Sequence, residues 1–153
     1  MKAPRPTPFR LDDQIGFLLR RAYQRASENL AARIARYDLT PPQFAVLARL
    51  NERGETAQNE LGRAVAMAPA NIRDVVLRLK ARGILGTRRD SGDKRLVLVS
   101  LTRRGAALTR RITALDVAST AATLAPLTPA EARALRGLLA RVAGAGRRGE
   151  ADA

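Results

Sequence analysis

One short stretch breaks the helical pattern that governs the rest of the chain. The helical period gives way to two β-type runs, Ile84 to Asp90 and Arg95 to Leu101, the second carrying Leu96-Val97-Leu98-Val99. Ser91-Gly92-Asp93 between them is turn chemistry, so the stretch reads as a β-hairpin. Everything else follows helical spacing, which limits the fold class to mainly α with one small β-hairpin.

The 153 residues suit about one domain. Residues 1–10 hold Pro4, Pro6 and Pro8 and read as an extended arm. From 11 to 36, Ile15, Leu18, Leu19, Ala22, Tyr23, Ala26, Leu30 and Ile34 recur at helical spacing, predicting one long helix. Thr40-Pro41-Pro42-Gln43 is a capping box with proline at the first helical position; it opens a helix that turns Phe44, Leu47, Ala48 and Leu50 inward and stops at Gly54. Thr56 is expected to cap a short third helix bearing Leu61 and Val65. After a turn near Ala66 to Ala68, Pro69 starts a fourth helix with an inward stripe of Ile72, Val75, Val76 and Leu79, ending at Gly83. Beyond the hairpin, Thr102 and Gly105 open a long helix with Leu108, Ile112, Leu115, Ser119 and Ala122 on one face. A second capping box, Thr128-Pro129-Ala130-Glu131, starts the last helix, and residues 144–153 read as a frayed tail.

Two short helices joined by a tight turn and followed by an Arg-loaded hairpin have the order of a winged helix-turn-helix. The recognition helix is then Pro69 to Arg82, whose buried stripe leaves Ala70, Asn71, Arg73 and Asp74 facing outward at the end that meets base edges. Arg73 suits a bidentate contact to guanine and Asn71 suits adenine. Asp74 either accepts from cytosine or holds Arg78 one turn on.

Charge supports a polyanionic partner. There are 28 Lys and Arg against 14 Asp and Glu, a formal net charge of +14. The excess is local: +5 over residues 1–36, −1 over 37–55, +9 over 56–111 and +1 over 112–153. The chain lacks both Cys and His. Thiol chemistry, disulfides, redox sensing and zinc sites are thereby excluded, no group titrates near neutrality for acid–base catalysis, and no cofactor or metal is expected. No Gly-rich phosphate loop occurs, and an enzyme is not expected. The longest uncharged stretch, Val117 to Ala130, has 14 residues and two prolines, too short to span a bilayer, so the chain reads as soluble and cytoplasmic.

At the level of motifs the sequence resembles the MarR family of bacterial transcriptional regulators. The resemblance rests on Leu39-Thr40-Pro41-Pro42-Gln43-Phe44, on Glu60-Leu61-Gly62, on Leu79-Lys80-Ala81-Arg82-Gly83-Ile84-Leu85 and, most specifically, on Asp90-Ser91-Gly92-Asp93-Lys94-Arg95 followed by Leu98-Val99-Ser100-Leu101-Thr102 and Gly105. It covers roughly residues 11 to 143. It implies that Arg95 enters the minor groove while Asp93 orients its guanidinium, with Arg88, Arg89 and Lys94 adding charge on the same hairpin. Where many relatives place a capping residue before the recognition-helix proline, this chain has Ala68.

The resemblance also implies organisation: residues 11–36 and 103–143 as dimerisation helices, 37–102 as the DNA-binding lobe, and a homodimer that reads a pseudo-palindromic operator in double-stranded DNA. Phe9-Arg10-Leu11-Asp12-Asp13-Gln14-Ile15-Gly16-Phe17 and the residues after it look like the subgroup that controls aromatic acid catabolism. A repressor released by an aromatic acid or aryl-CoA ligand follows as the expectation, with Phe9, Phe17, Arg20, Arg21 and Phe44 as candidate effector contacts. A non-specific architectural nucleic-acid-binding protein accounts for the charge equally well and is the alternative.

Overall fold

The computed structural model describes residues 8–144. Six helices and a three-stranded sheet follow one another as α1 (Ile15–Ile34), α2 (Pro41–Arg53), β1 (Thr56–Ala57), α3 (Gln58–Ala64), α4 (Pro69–Ala81), β2 (Leu85–Arg89), β3 (Val97–Leu101), α5 (Arg103–Leu124) and α6 (Pro129–Val142).

The long helix expected over 11–36 is shorter and flanked by single 3-10 turns at Leu11–Asp13 and Ala35–Tyr37. Gln14 is extended, at φ −80° and ψ 126°, which interrupts the helix at its start. At the other end Asp38 adopts the left-handed conformation, φ 53° and ψ 49°, and turns the chain into α2. Both capping boxes form as read: Thr40 with Gln43 at α2, and Thr128 with Glu131 at α6. Oε2 of Glu131 accepts from both the amide and the hydroxyl of Thr128, and these hydrogen bonds hold its carboxyl below the ordinary range.

Thr56 does not cap α3. It is buried in β1, its hydroxyl donates to the carbonyl of Gly54 at 3.0 Å, and its backbone pairs with Val99. The N-cap position falls on Ala57, without a side-chain bond. The wing is therefore a sheet of order β1-β3-β2, antiparallel throughout, rather than a two-stranded hairpin. Leu85 pairs with Leu101 and Arg89 with Val97, which sets the tip at residues 90–96.

Packing gathers the short elements round one core. Phe44, Val46, Leu47 and Leu50 of α2, Leu61 of α3, Ile72, Val76 and Leu79 of α4, and Ile84, Leu85 and Val99 of the sheet are all buried. The lobe meets α5 at Gly105, where an added Cβ would stand 2.1 Å from the Ile84 carbonyl oxygen, so only glycine admits this approach. α1 and α5 lie together, joined by a hydrogen bond from Asn29 to Thr123 at 3.0 Å, while α6 buries no residue. Among the described residues, no helix is long and apolar enough to cross a membrane.

Candidate nucleic-acid interface

α4 presents two unlike faces. Ile72, Val76 and Leu79 point into the core, and the intervening Ala70, Asn71, Arg73, Asp74 and Arg78 are exposed. Helical spacing alone produces this division. The helix begins at Pro69 with no side-chain cap from Ala68. Its start is fixed instead by the turn from α3: the Met67 amide donates to the Gly62 carbonyl at 2.9 Å, and Ala66 takes φ 54°. No ion pair joins Asp74 to Arg78 among the described residues, so both remain available on the outer surface.

The wing tip is organised by two carboxylates. Asp90 Oδ2 accepts from the amides of Gly92 at 3.0 Å and Asp93 at 2.9 Å, closing the turn. Asp93 then accepts from Arg95 three times: from its amide at 3.0 Å, Nε at 3.1 Å and a terminal nitrogen at 3.3 Å. The side-chain bonds to Arg95, and secondarily the backbone bond, hold the Asp93 carboxyl below its ordinary range. The Arg95 side chain nevertheless stays 92% exposed. A guanidinium oriented at one edge and open at the other is ready to meet a second anion.

The other wing cations differ. Arg88 makes two side-chain hydrogen bonds to Glu55, through Nε to Oε2 at 3.0 Å and through a terminal nitrogen to Oε1, and the first effect of this pairing is to raise its pKa further. The sequence groups Arg88 with the charges at the tip; the structure makes it a brace between the wing and the loop after α2. Glu55 carried no signal in the sequence, lying 33 residues away. Arg89 reaches across the tip to the carbonyls of Lys94 and Arg95 at 3.3 and 3.5 Å, and Lys94 is exposed. Lys80 of α4 donates to Thr87 of β2 at 2.6 Å, tying the recognition helix to the wing.

The five candidate effector contacts do not assemble into one site. Phe9 is 78% exposed on the segment before α1, Phe17 is half-buried with the Arg21 guanidinium 6.0 Å from its ring centroid, and Arg20 and Arg21 are exposed. Phe44 is buried on α2. It lines a groove of about 600 Å³ between α1, α2 and α4, together with Tyr23, Pro42, Met67, Asn71 and Arg78, and Arg78 is the one cation among its described lining residues. None of Phe9, Phe17, Arg20 and Arg21 lines it. The separation has a simple cause: Arg20 stands on the turn of α1 before Tyr23, while the lobe packs against the far half of that helix through Leu30 and Ile34.

Comparison with known proteins fits this geometry. Residues 39–97, from just before α2 to the first residue of β3, match the MarR family. The chain is 43% identical over 102 residues to the HTH-type transcriptional repressor NicR of Pseudomonas putida, a match covering 67% of this chain and 65% of that repressor's length. It is 47% identical to a probable transcriptional regulator from Pseudomonas aeruginosa whose crystal structure superimposes with a TM-score of 0.81, covering 87% of this chain and 99% of the other. A third similarity is to BpsR of Bordetella bronchiseptica, 37% identical at a TM-score of 0.84 over 90% and 98% of the two chains, whose DNA binding is regulated by 6-hydroxynicotinic acid.

Proposed function

Because the chain belongs to the MarR family of transcriptional regulators, we propose that it acts in the cytoplasm as a homodimeric, sequence-specific repressor released from its operator by an aromatic carboxylic acid. It is a regulator and not an enzyme. Two recognition helices related by a two-fold axis read half-sites about one helical turn apart. In each, Ala70, Asn71, Arg73 and Asp74 meet the major groove, and the wing places Arg95 in the adjacent minor groove, where a narrow A·T-rich segment concentrates negative potential.

The observation that carries this reading is the Asp93–Arg95 pair. An Arg whose amide and guanidinium together make three hydrogen bonds to a single carboxylate, and whose side chain is still 92% exposed, has given up rotamer freedom while burying little surface. As an exposed ion pair it adds less than about 1 kcal/mol to folding. Its fixed geometry gains a use when DNA fills the open edge. Arg95→Ala is expected to cost roughly 1–3 kcal/mol of operator affinity in anisotropy titrations with the melting temperature unchanged; an unchanged affinity removes the wing from the mechanism. Arg73→Ala relaxes preference at one base pair per half-site. A non-specific architectural protein instead binds unrelated duplexes within about tenfold of any selected site.

The groove beside Tyr23, Phe44 and Met67 supports the effector half of the proposal. Its walls offer aromatic and thioether surface, and Arg78 supplies a cation for a carboxylate. Asn71, Asp74 and Arg78 belong both to the groove and to the recognition helix, so an occupant acts directly on residues that face DNA. Calorimetry with 6-hydroxynicotinate, other aromatic acids and their CoA thioesters tests for binding. Comparing Arg78→Ala with Arg20→Ala and Arg21→Ala then identifies the cation that holds the carboxylate.

A further inference from the structure

Two sets of hydrogen bonds, one toward the corner after α1 and one toward the start of α5, converge on residues 82–84. On one side, Arg82 at the C-cap of α4 reaches back to the corner that follows α1. One terminal nitrogen donates to the Asp38 carbonyl at 2.5 Å and the other to the Tyr37 carbonyl at 2.9 Å, with the Asp38 carboxylate 3.9 Å away. These carbonyls belong to the left-handed corner that ends the 3-10 turn following α1. On the other side, Thr102, the N-cap of α5, donates its hydroxyl to the Gly83 carbonyl at 2.7 Å and the Ile84 carbonyl at 3.1 Å, and its amide also donates to Ile84 at 3.1 Å. Gly105 closes against the same Ile84 carbonyl.

We propose that Arg82 is a positioning residue for DNA recognition: its guanidinium locks the recognition helix to the corner through which the chain leaves α1, so that the dimer holds its two recognition helices at one spacing and angle. The inference rests on the dimeric, two-half-site reading above.

Chemistry favours this role over a general stabilising one. A planar fork can satisfy two adjacent carbonyls at once and thereby fixes orientation as well as distance, which a lysine cannot do. The atoms it grips are backbone atoms at a corner held by a non-glycine residue at positive φ, so α1 cannot rotate there without breaking both bonds. Lys80, half a turn earlier on α4, makes its bond to Thr87 inside the lobe and does not reach α1. Arg82 also borders the end of the effector groove, sharing a cleft with Thr40, Gln43 and Arg78. A ligand at Arg78 thus sits one helical turn from the lock. A rigid link lets a change in dimer geometry alter DNA affinity, because both sites then bias the same element.

The test uses the full chain and a palindromic duplex selected by the wild-type protein from random sequence, with its half-sites moved apart or together by one base pair. Such a change rotates one half-site by about 34–36° relative to the other. The wild type is expected to lose at least about tenfold in affinity on the altered spacings, within the usual range of coupling between sites. Arg82→Met is expected to lose less than about threefold, with Arg82→Lys in between. Lys80→Met should weaken all spacings by a common factor. Equal spacing selectivity in Arg82→Met and wild type overturns the proposal, as does a uniform loss like that of Lys80→Met. If Arg82→Met does not fold, Arg82→Lys carries the test, and selectivity equal to wild type there overturns it. A wild type that is monomeric, or that binds every spacing alike, overturns the dimeric reading itself and is recognised before any variant is made.

Discussion

The lobe from α2 to β3 and the three long helices are opposite solutions to the same composition. Every buried hydrophobic residue of the core except Leu30, Ile34, Leu39 and Ile112 lies in the lobe, and every exposed large hydrophobic except Leu77 and Leu96 lies outside it. The lobe therefore closes its apolar surface within one chain. α1, α5 and α6 leave Ile15, Leu18, Leu19, Tyr23, Val117, Leu138, Leu139 and Val142 in solvent, apolar side chains that this chain alone does not cover. On the proposed reading, the difference teaches that contact with DNA is local to one subunit while spacing the two readers is a property of the pair.

The comparison is broken most completely at the joint between its halves. Gly105→Ala would drive a Cβ to 2.1 Å from the Ile84 carbonyl oxygen, a backbone atom with no rotamer to yield. We expect a loss of at least about 3 kcal/mol in urea denaturation, at or beyond the upper end for overpacking, and a chain that no longer folds cooperatively. A fully folded Gly105→Ala would show that lobe and helices are not registered through this contact.

A smaller effect separates the two halves. Leu138 on α6 is 55% exposed, so Leu138→Ala should leave the lobe's stability and fold untouched while weakening the dimer by roughly 1–2 kcal/mol, about a tenfold change in dissociation constant. Analytical ultracentrifugation across a concentration series checks this. Equal dissociation constants would mean that another surface covers α6.

What the sequence made legible follows the range of the interaction involved. Local signals carry through: both capping boxes, the opening of α5 at Thr102, the inward stripe of α4 and the Asp93–Arg95 pair are all settled within one or two helical turns of sequence. Failures lie where tertiary pairing decides. Thr56 looks like a helix cap, yet Val99, more than forty residues on, recruits it into a strand. Glu55 and Arg88 meet across the wing, and Arg82 finds backbone carbonyls, acceptors that every residue possesses and no sequence marks. The groove combines Tyr23, Phe44 and Arg78 from three helices whose crossing only the fold supplies.

Glycines give the next contrast. Unlike Gly105, Gly137 in the middle of α6 has nothing within 4 Å of a built Cβ. Gly137→Ala should therefore stabilise by roughly 0.5–1 kcal/mol through helix propensity alone. Calorimetry showing a loss of stability would reveal that the partner subunit's backbone approaches this position, and would place a close contact on a face that a single chain leaves empty.

The smallest expected effect tests the same face electrostatically. Asp116 of α5 lies in a groove of about 360 Å³ between α1, α5 and α6, with Tyr23, Ser119 and Arg136 among its neighbours, and burial pushes its carboxyl above the ordinary range. A carboxyl whose pKa is higher folded than unfolded binds more protons in the native state over the interval between the two values. Stability then falls as pH rises from near the ordinary aspartate pKa of about 3.9 through the raised one. Asp116→Asn removes this slope, so the variant should gain in melting temperature relative to wild type as pH climbs from 4 toward 7. The hydrogen-bonded Asp93 and Glu131 have the opposite slope but are common to both proteins and cancel in the difference. Should the wild type instead gain on the variant with rising pH, a cation must neutralise Asp116 in the assembled protein. No Arg or Lys forms an ion pair with Asp116 among the described residues. The reversed slope would therefore show that Asp116 gains a cation on assembly, either Arg136 drawn across the same groove or a group of a second subunit laid over the apolar faces of α1, α5 and α6.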